Sequence, residues 1–221
     1  RPSTNTMGKS VFNPDDAFLF ESLLSEDDRM VMESAREFAQ TQLEPRALEG
    51  NQEGIFHDEI PTEMAELGLL GATLDPEYGG AGVSQTAYGL IARELERVDS
   101  GYRSFASVQS SLVMHPISIF GTEEQKQRFL PRLASAELIG CFGLTEPDHG
   151  SDPGSMVTTA KKVDGGWVLN GAKMWITNSP VADIAIVWAK VRGGSEDGVI
   201  RGFIVEKEFE GYSAPVTHNK M

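Results

Sequence analysis

The chain of 221 residues, 40% hydrophobic and 24% charged, is long enough to bury a real core and fits a globular protein of one to two domains. Its 19 basic against 33 acidic residues give a net charge of −14, which opposes nonspecific attraction to nucleic acid or to an anionic membrane surface. A single cysteine, Cys141, excludes an internal disulfide framework and suits a reducing compartment; His57, His115, His149 and His218 offer no metal spacing, and no apolar run is long enough for membrane insertion.

Residues 1–13 are set aside as a start region. Arg1 to Thr6 precede Met7 and read as a tag remnant or a leader. From 14 to 136 the hydrophobic spacing is helical, with Val31, Ala35, Phe38 and Leu43 on one stripe and Tyr88, Ile91, Leu95 and Val98 on another. Ser25 before Asp28, and Thr122 before Gln125, are helix-start pairs, while Gly68 and Gly121 are placed to end helices with positive φ. Five or six helices are expected.

From 137 to 221 the texture changes to short β-rich runs at 138–144, 158–163, 167–170, 172–177, 184–191 and 202–205. Asp164-Gly165-Gly166 and Asn170-Gly171 read as hairpin turns, and 192–198 as a surface loop between strands. Helices followed by strands predict an α+β chain, an all-α domain and then an antiparallel β-domain, rather than alternating βα units. The last residues, Thr217 to Met221, carry no cap or terminal helix, and the expectation is a β-domain incomplete at its C-terminal end.

Four stretches could carry chemistry. Pro76–Gly82 is glycine-rich, but its spacing and surroundings are not those of a dinucleotide-binding turn, so it reads first as a connecting loop. In 140–152 an apolar strand runs into a loop of hydroxyls, carboxylates and glycines, which suits either a polar cofactor or an ordinary surface turn. Trp175-Ile176-Thr177 ends a run with a large aromatic and a hydroxyl, so Trp175 either walls a flat ring or packs in the core. Arg103 falls in the first turn of a helix opened by Ser100, where it could clamp a carboxylate or form a surface salt bridge with Glu94, Glu96 or Asp99. His115 reads as a core histidine, and no Gly-x-Ser-x-Gly elbow supports a hydrolase.

Taken in order and at their spacing, Pro76–Gly82, Phe142–Asp152 and Trp175–Asn178 resemble the acyl-CoA dehydrogenase family. More narrowly, Arg93–Ser104 and Ser107–Pro116 are similar to its glutaryl-CoA dehydrogenases. The resemblance covers nearly the whole chain from about Phe12. It implies an N-terminal helical domain and part of a middle β-domain, with FAD as cofactor. It implies FAD contacts for Phe142, Gly143, Leu144, Thr145, Gly150, Ser151, Trp175, Ile176 and Thr177, with the Thr177 hydroxyl near flavin N5. Ser151 also meets the CoA ester, and Arg103 with Ser104 receives the distal carboxylate of glutaryl-CoA. The family's catalytic base comes from a C-terminal helical bundle absent from this chain. The implied reaction is dehydrogenation of glutaryl-CoA with decarboxylation to crotonyl-CoA and CO2. An electron-transferring flavoprotein would be the partner, a homotetramer the assembly, and a bacterial cytoplasm or a mitochondrial matrix the compartment. The alternatives are a dehydrogenase of uncharged short acyl chains, a non-decarboxylating glutaryl enzyme, and a noncatalytic fragment.

Overall fold

The structure, a computed structural model, describes residues 12–14 and 16–217; Arg1 to Thr6 and His218 to Met221 lie outside the described residues. Helices come first: α1 (Glu26–Phe38), α2 (Glu44–Glu53), α3 (Ile60–Glu66), α4 (Gln85–Val98), α5 (Ser100–Ser107), α6 (His115–Phe120) and α7 (Glu123–Ala134). Single π-helical stretches, Ala39–Leu43 and Val108–Met114, join α1 to α2 and α5 to α6 without a break, so the seven helices of the described residues form five rods. The caps fall where the sequence puts them. Ser25 accepts from the Asp28 N–H at 3.1 Å, and Thr122 with Gln125 forms a reciprocal capping box. Gly68 takes φ 67°, whereas Gly121 stays extended at φ −70°; what Gly121 supplies is room, because a Cβ there would lie 2.5 Å from the Ile117 carbonyl oxygen. His115 is solvent-exposed and not a core residue, because the buried face of that rod is taken by Val113, Met114 and Ile117.

Five strands follow among the described residues: β1 (Gly140–Gly143), β2 (Thr159–Val163), β3 (Gly166–Asn170), β4 (Ile184–Arg192) and β5 (Ile200–Glu206). The segregation of helices and sheet is as expected, but the sheet is mixed. β2–β3 and β4–β5 are antiparallel hairpins, while β1 and β2 both run parallel to β4. Long connections, 144–158 and 171–183, lead back toward the sheet and permit the parallel pairings. β5 spans β4 from Ile184 to Lys190, so β1, opposite Ile184–Val187, and β2, opposite Lys190–Arg192, must share the other edge end to end. The loop 144–158 therefore leaves the sheet at the junction between them.

The run 172–177 is not a strand, and Asn170-Gly171 makes no hairpin. Gly171 sits at φ 157° so close to Thr158 that a Cβ would overlap it, and the chain then runs irregularly over the sheet. Strand side chains alternate faces. Ile184 and Ile186 of β4 join the main core under the helices, whereas Cys141 and Ala185 form a second core on the opposite face, covered by Ile176, Ala182 and Tyr212. Among the described residues no helix is long and apolar enough to cross a membrane.

Candidate functional site

The two segments singled out by the sequence meet at the β1–β2 junction. In the loop, Glu146 and His149 exchange backbone bonds of 3.2 Å each, closing a tight turn. The 171–183 segment lies alongside: Met174 N–H donates to the Thr145 carbonyl at 2.9 Å, and Lys173 Nζ donates to the Leu144 carbonyl at 3.0 Å and to Glu146 at 2.8 Å. Glu146 is buried and also accepts from the N–H groups of Val157 (2.7 Å) and Thr158 (3.0 Å), which locks the base of the loop. Burial by itself pushes its carboxyl up, but the bonds from Lys173, Thr158 and Val157 outweigh that and hold it at about 2.

Trp175 is 69% exposed with φ 60°, and Asn178 follows at φ 68°. A bulky residue in the left-handed region is uncommon and costs about 1–2 kcal/mol. The core role for Trp175 is thereby ruled out; its ring is presented to solvent beside the loop. Ile176 is turned the other way and anchors the segment on the second core. The hydroxyls of Thr145, Ser151 and Thr177 engage no partner among the described residues, so they are free to bond a ligand. Gly143 is buried and Gly150 exposed, and the half-buried Phe142 ring packs edge-on against Trp188 with centroids 6.0 Å apart, leaving its backbone as what it offers outward. A flat polar cofactor fits this surface: one exposed aromatic wall, three free hydroxyls and a glycine-bearing backbone edge.

Arg103 and Ser104 are not in contact with that loop. They lie in the first turns of α5, whose N-cap Asp99 accepts from the Gly101 N–H at 2.7 Å. Arg103 Nε donates to Glu96 at 2.6 Å, a half-exposed ion pair of the kind the surface salt-bridge alternative expects, while both Nη groups make no bond among the described residues. Six residues on, about 9 Å along the rod, comes Gln109, fully buried. Its Nε2 donates to the carbonyls of Leu133 (2.9 Å) and Leu138 (2.8 Å), and its Oε1 accepts from the Gly140 N–H at 2.8 Å. Asp183 takes the Ile139 N–H at 2.8 Å and Asn178 donates to the Gly140 carbonyl at 3.3 Å. Three side chains thus fix the entry to β1, and through Gln109 the α5 rod is tied to the strand that feeds the loop.

Sequence reasoning missed Glu146, Lys173 and Gln109 as organisers. A lysine inside the otherwise apolar 172–176 run, and a glutamine one turn before the apolar Leu112-Val113-Met114 stretch of the α5–α6 rod, were the available signals. The cleft of about 280 Å³ between α7 and β5, lined by Arg128, Phe129 and Glu206 among others, includes none of these residues. Among the described residues no cluster suits a metal ion.

A helical layer packed on a mixed sheet, with a hydroxyl-rich loop and an exposed tryptophan at the sheet's strand junction, makes an α+β protein whose junction surface suits a polar cofactor. The chain belongs to the acyl-CoA dehydrogenase family: it matches the acyl-CoA dehydrogenase N-terminal domain over residues 25–137 and the middle domain over 141–221. It is similar to a glutaryl-CoA dehydrogenase from Mycobacterium smegmatis solved in complex with FADH2, at 44% identity and a TM-score of 0.89, covering 96% of this chain and 53% of that one. An acyl-CoA dehydrogenase of Bacillus subtilis is 36% identical over 90% of this chain and 52% of its own length. The human mitochondrial short-chain specific acyl-CoA dehydrogenase is 36% identical over 90% and 48% respectively. The chain spans about half the length of these relatives.

Proposed function

We propose that the protein is an FAD-dependent oxidoreductase that dehydrogenates glutaryl-CoA between Cα and Cβ, with decarboxylation to crotonyl-CoA and CO2, and passes the electrons to an electron-transferring flavoprotein. The observation that carries this reading is the convergence of the loop 142–151 with Trp175–Thr177 into one surface of free hydroxyls beside an exposed aromatic. FAD bound there supplies the acceptor for the hydride that leaves Cβ. Trp175 walls a ring, Thr145 and Thr177 bond its heteroatoms, and Ile176 holds their segment down. The backbone of Phe142, Gly143, Leu144 and Gly150 lines the approach, and Ser151 reaches the thioester end. Arg103, held through Nε by Glu96, keeps its Nη fork for the distal carboxylate, with the Ser104 hydroxyl beside it. The α-proton goes to a base outside this chain, on polypeptide corresponding to the half of the relatives that it does not span, and the whole protein assembles as a homotetramer.

One observation favours a second reading, dehydrogenation of an uncharged short acyl chain: Glu96 already partners Arg103, which then serves only as half of a surface pair. The deciding experiment is an anaerobic flavin spectrum of the complete protein with glutaryl-CoA and, separately, butyryl-CoA. Bleaching of the oxidised band by glutaryl-CoA, with CO2 and crotonyl-CoA as products, is expected. Bleaching by butyryl-CoA alone establishes the second reading. Glutaconyl-CoA without CO2 removes the decarboxylation step.

A further inference from the structure

We infer that Glu146 and Lys173 form a positioning pair that sets the spacing of the two cofactor-facing segments and so the seat of the flavin between them. The inference deepens the FAD reading above and rests on it. Glu146 is 1% and Lys173 11% exposed, yet an apolar pair of similar volume would serve stability as well, because the desolvation of two buried charges offsets most of their attraction. What an apolar pair cannot supply is direction. The Glu146 carboxylate receives three donors, the N–H groups of Val157 and Thr158 from the loop's far end and Lys173 Nζ from the other segment. Lys173 returns a bond to the Leu144 carbonyl, so that both ends of the loop and the stretch leading into Trp175 are referred to one point. Besides this pair, the loop and the segment are joined among the described residues by one backbone bond, Met174 N–H to the Thr145 carbonyl, a single residue before the strained Trp175. With the pair broken, that bond would be the one hydrogen bond left between loop and segment among the described residues, while Gly171 against Thr158 and Ile176 on the second core would supply packing without direction.

The test uses the complete protein carrying Glu146→Gln, Lys173→Met, the double substitution, or Glu77→Gln on the exposed Pro76–Tyr78 turn as a control. Thermal midpoint, FAD affinity, the visible circular dichroism of bound flavin, kcat and KM are read together. Each single variant is expected to change the flavin dichroism and to lower kcat by about 10- to 100-fold, the scale of a misplacement of about 1 Å, with KM for the acyl-CoA nearly unchanged. The double variant is expected to be no worse than either single one. Lys173→Gln, which keeps an N–H donor but removes the charge, is read the same way if Glu146→Gln does not fold. Variants that melt earlier but whose flavin-loaded fraction keeps the parent dichroism and kcat overturn the inference, as do single effects that simply add in the double. A parent protein that binds no FAD overturns the functional reading and this one together, whereas a flavin-bearing parent with unaltered variants overturns this one alone.

Discussion

Arg103 and Trp175 show how differently single residues declare themselves. Arg103 is an exposed-looking arginine in an acidic stretch, and the structure gives it the partner that stretch suggests, Glu96. Its value to a ligand lies in geometry: a guanidinium bonded through Nε still presents two Nη groups in one plane. Arg103→Gln is therefore expected to lower kcat/KM for glutaryl-CoA by about 100-fold or more, since a charge-assisted bond is lost, while that for butyryl-CoA changes little. An unchanged ratio of the two constants would assign Arg103 to the surface pair alone. Trp175 tests the other side of the site. Its left-handed backbone is tolerable to glycine, so Trp175→Gly relieves about 1 kcal/mol of strain and gives back a similar amount in unfolded-chain entropy. Urea unfolding of the complete protein is expected to show a stability within about 1 kcal/mol of the parent, whereas FAD affinity falls. A large loss of stability instead would mean that the ring packs against protein. From the sequence, tryptophan was visible as a candidate wall, but its exposure was not, because exposure follows from a φ angle that no spacing rule encodes.

The elements were legible to different degrees for a physical reason. Caps and apolar stripes are local, and Ser25, Thr122 and the α1 and α4 faces formed as the sequence indicates. Strand direction is not local: nothing in Gly140–Gly143 or Ile184–Arg192 says that they run parallel, and the turn signal at Asn170-Gly171 was overridden by close packing on Thr158. Side chains that tie elements together were the least legible, since they act between residues distant in sequence, 24 apart for Gln109 and Leu133 and 58 for Arg36 and Glu94. Gln109 is the clearest case. Replacing it with leucine, similar in size, leaves the Gly140 N–H and the Leu133 and Leu138 carbonyls without their buried partner. At roughly 1–3 kcal/mol for each unsatisfied group, with partial relaxation, Gln109→Leu is expected to cost about 2–4 kcal/mol. Thr122→Ala, the loss of an exposed cap, is expected to cost about 1 kcal/mol. Denaturant midpoints of the two variants compared side by side check the ordering, and equal losses would mean that Gln109 is replaceable in the β1 entry.

On the scale of the whole molecule, each layer contains a buried carboxylate held by cations. In the helical layer Glu94 of α4, 1% exposed, takes Arg36 from α1 at 3.2 Å and Arg93 at 2.7 Å. In the sheet layer Glu146 takes Lys173. Burial raises both carboxyls, but their partners more than reverse it, so each titrates below the ordinary value of 4.5, Glu146 at about 2. A group whose folded pKa is depressed stabilises the fold fully above its unfolded pKa, and the contribution disappears as pH falls toward the folded one. For Glu146 the window runs from about 4.5 down to about 2, and a shift of that size corresponds to about 3 kcal/mol. Glu94 adds in the same direction, so stability is expected to be flat near neutrality and to fall steeply on acidification below pH 5. Glu146→Gln has no proton to gain there, and its stability is expected to start lower and to fall less across the same window. Chemical unfolding of the parent and the variant at a series of pH values from 7 to 3 measures the difference, and parallel curves would mean that the Glu146 carboxylate is not held below its ordinary range in the folded protein.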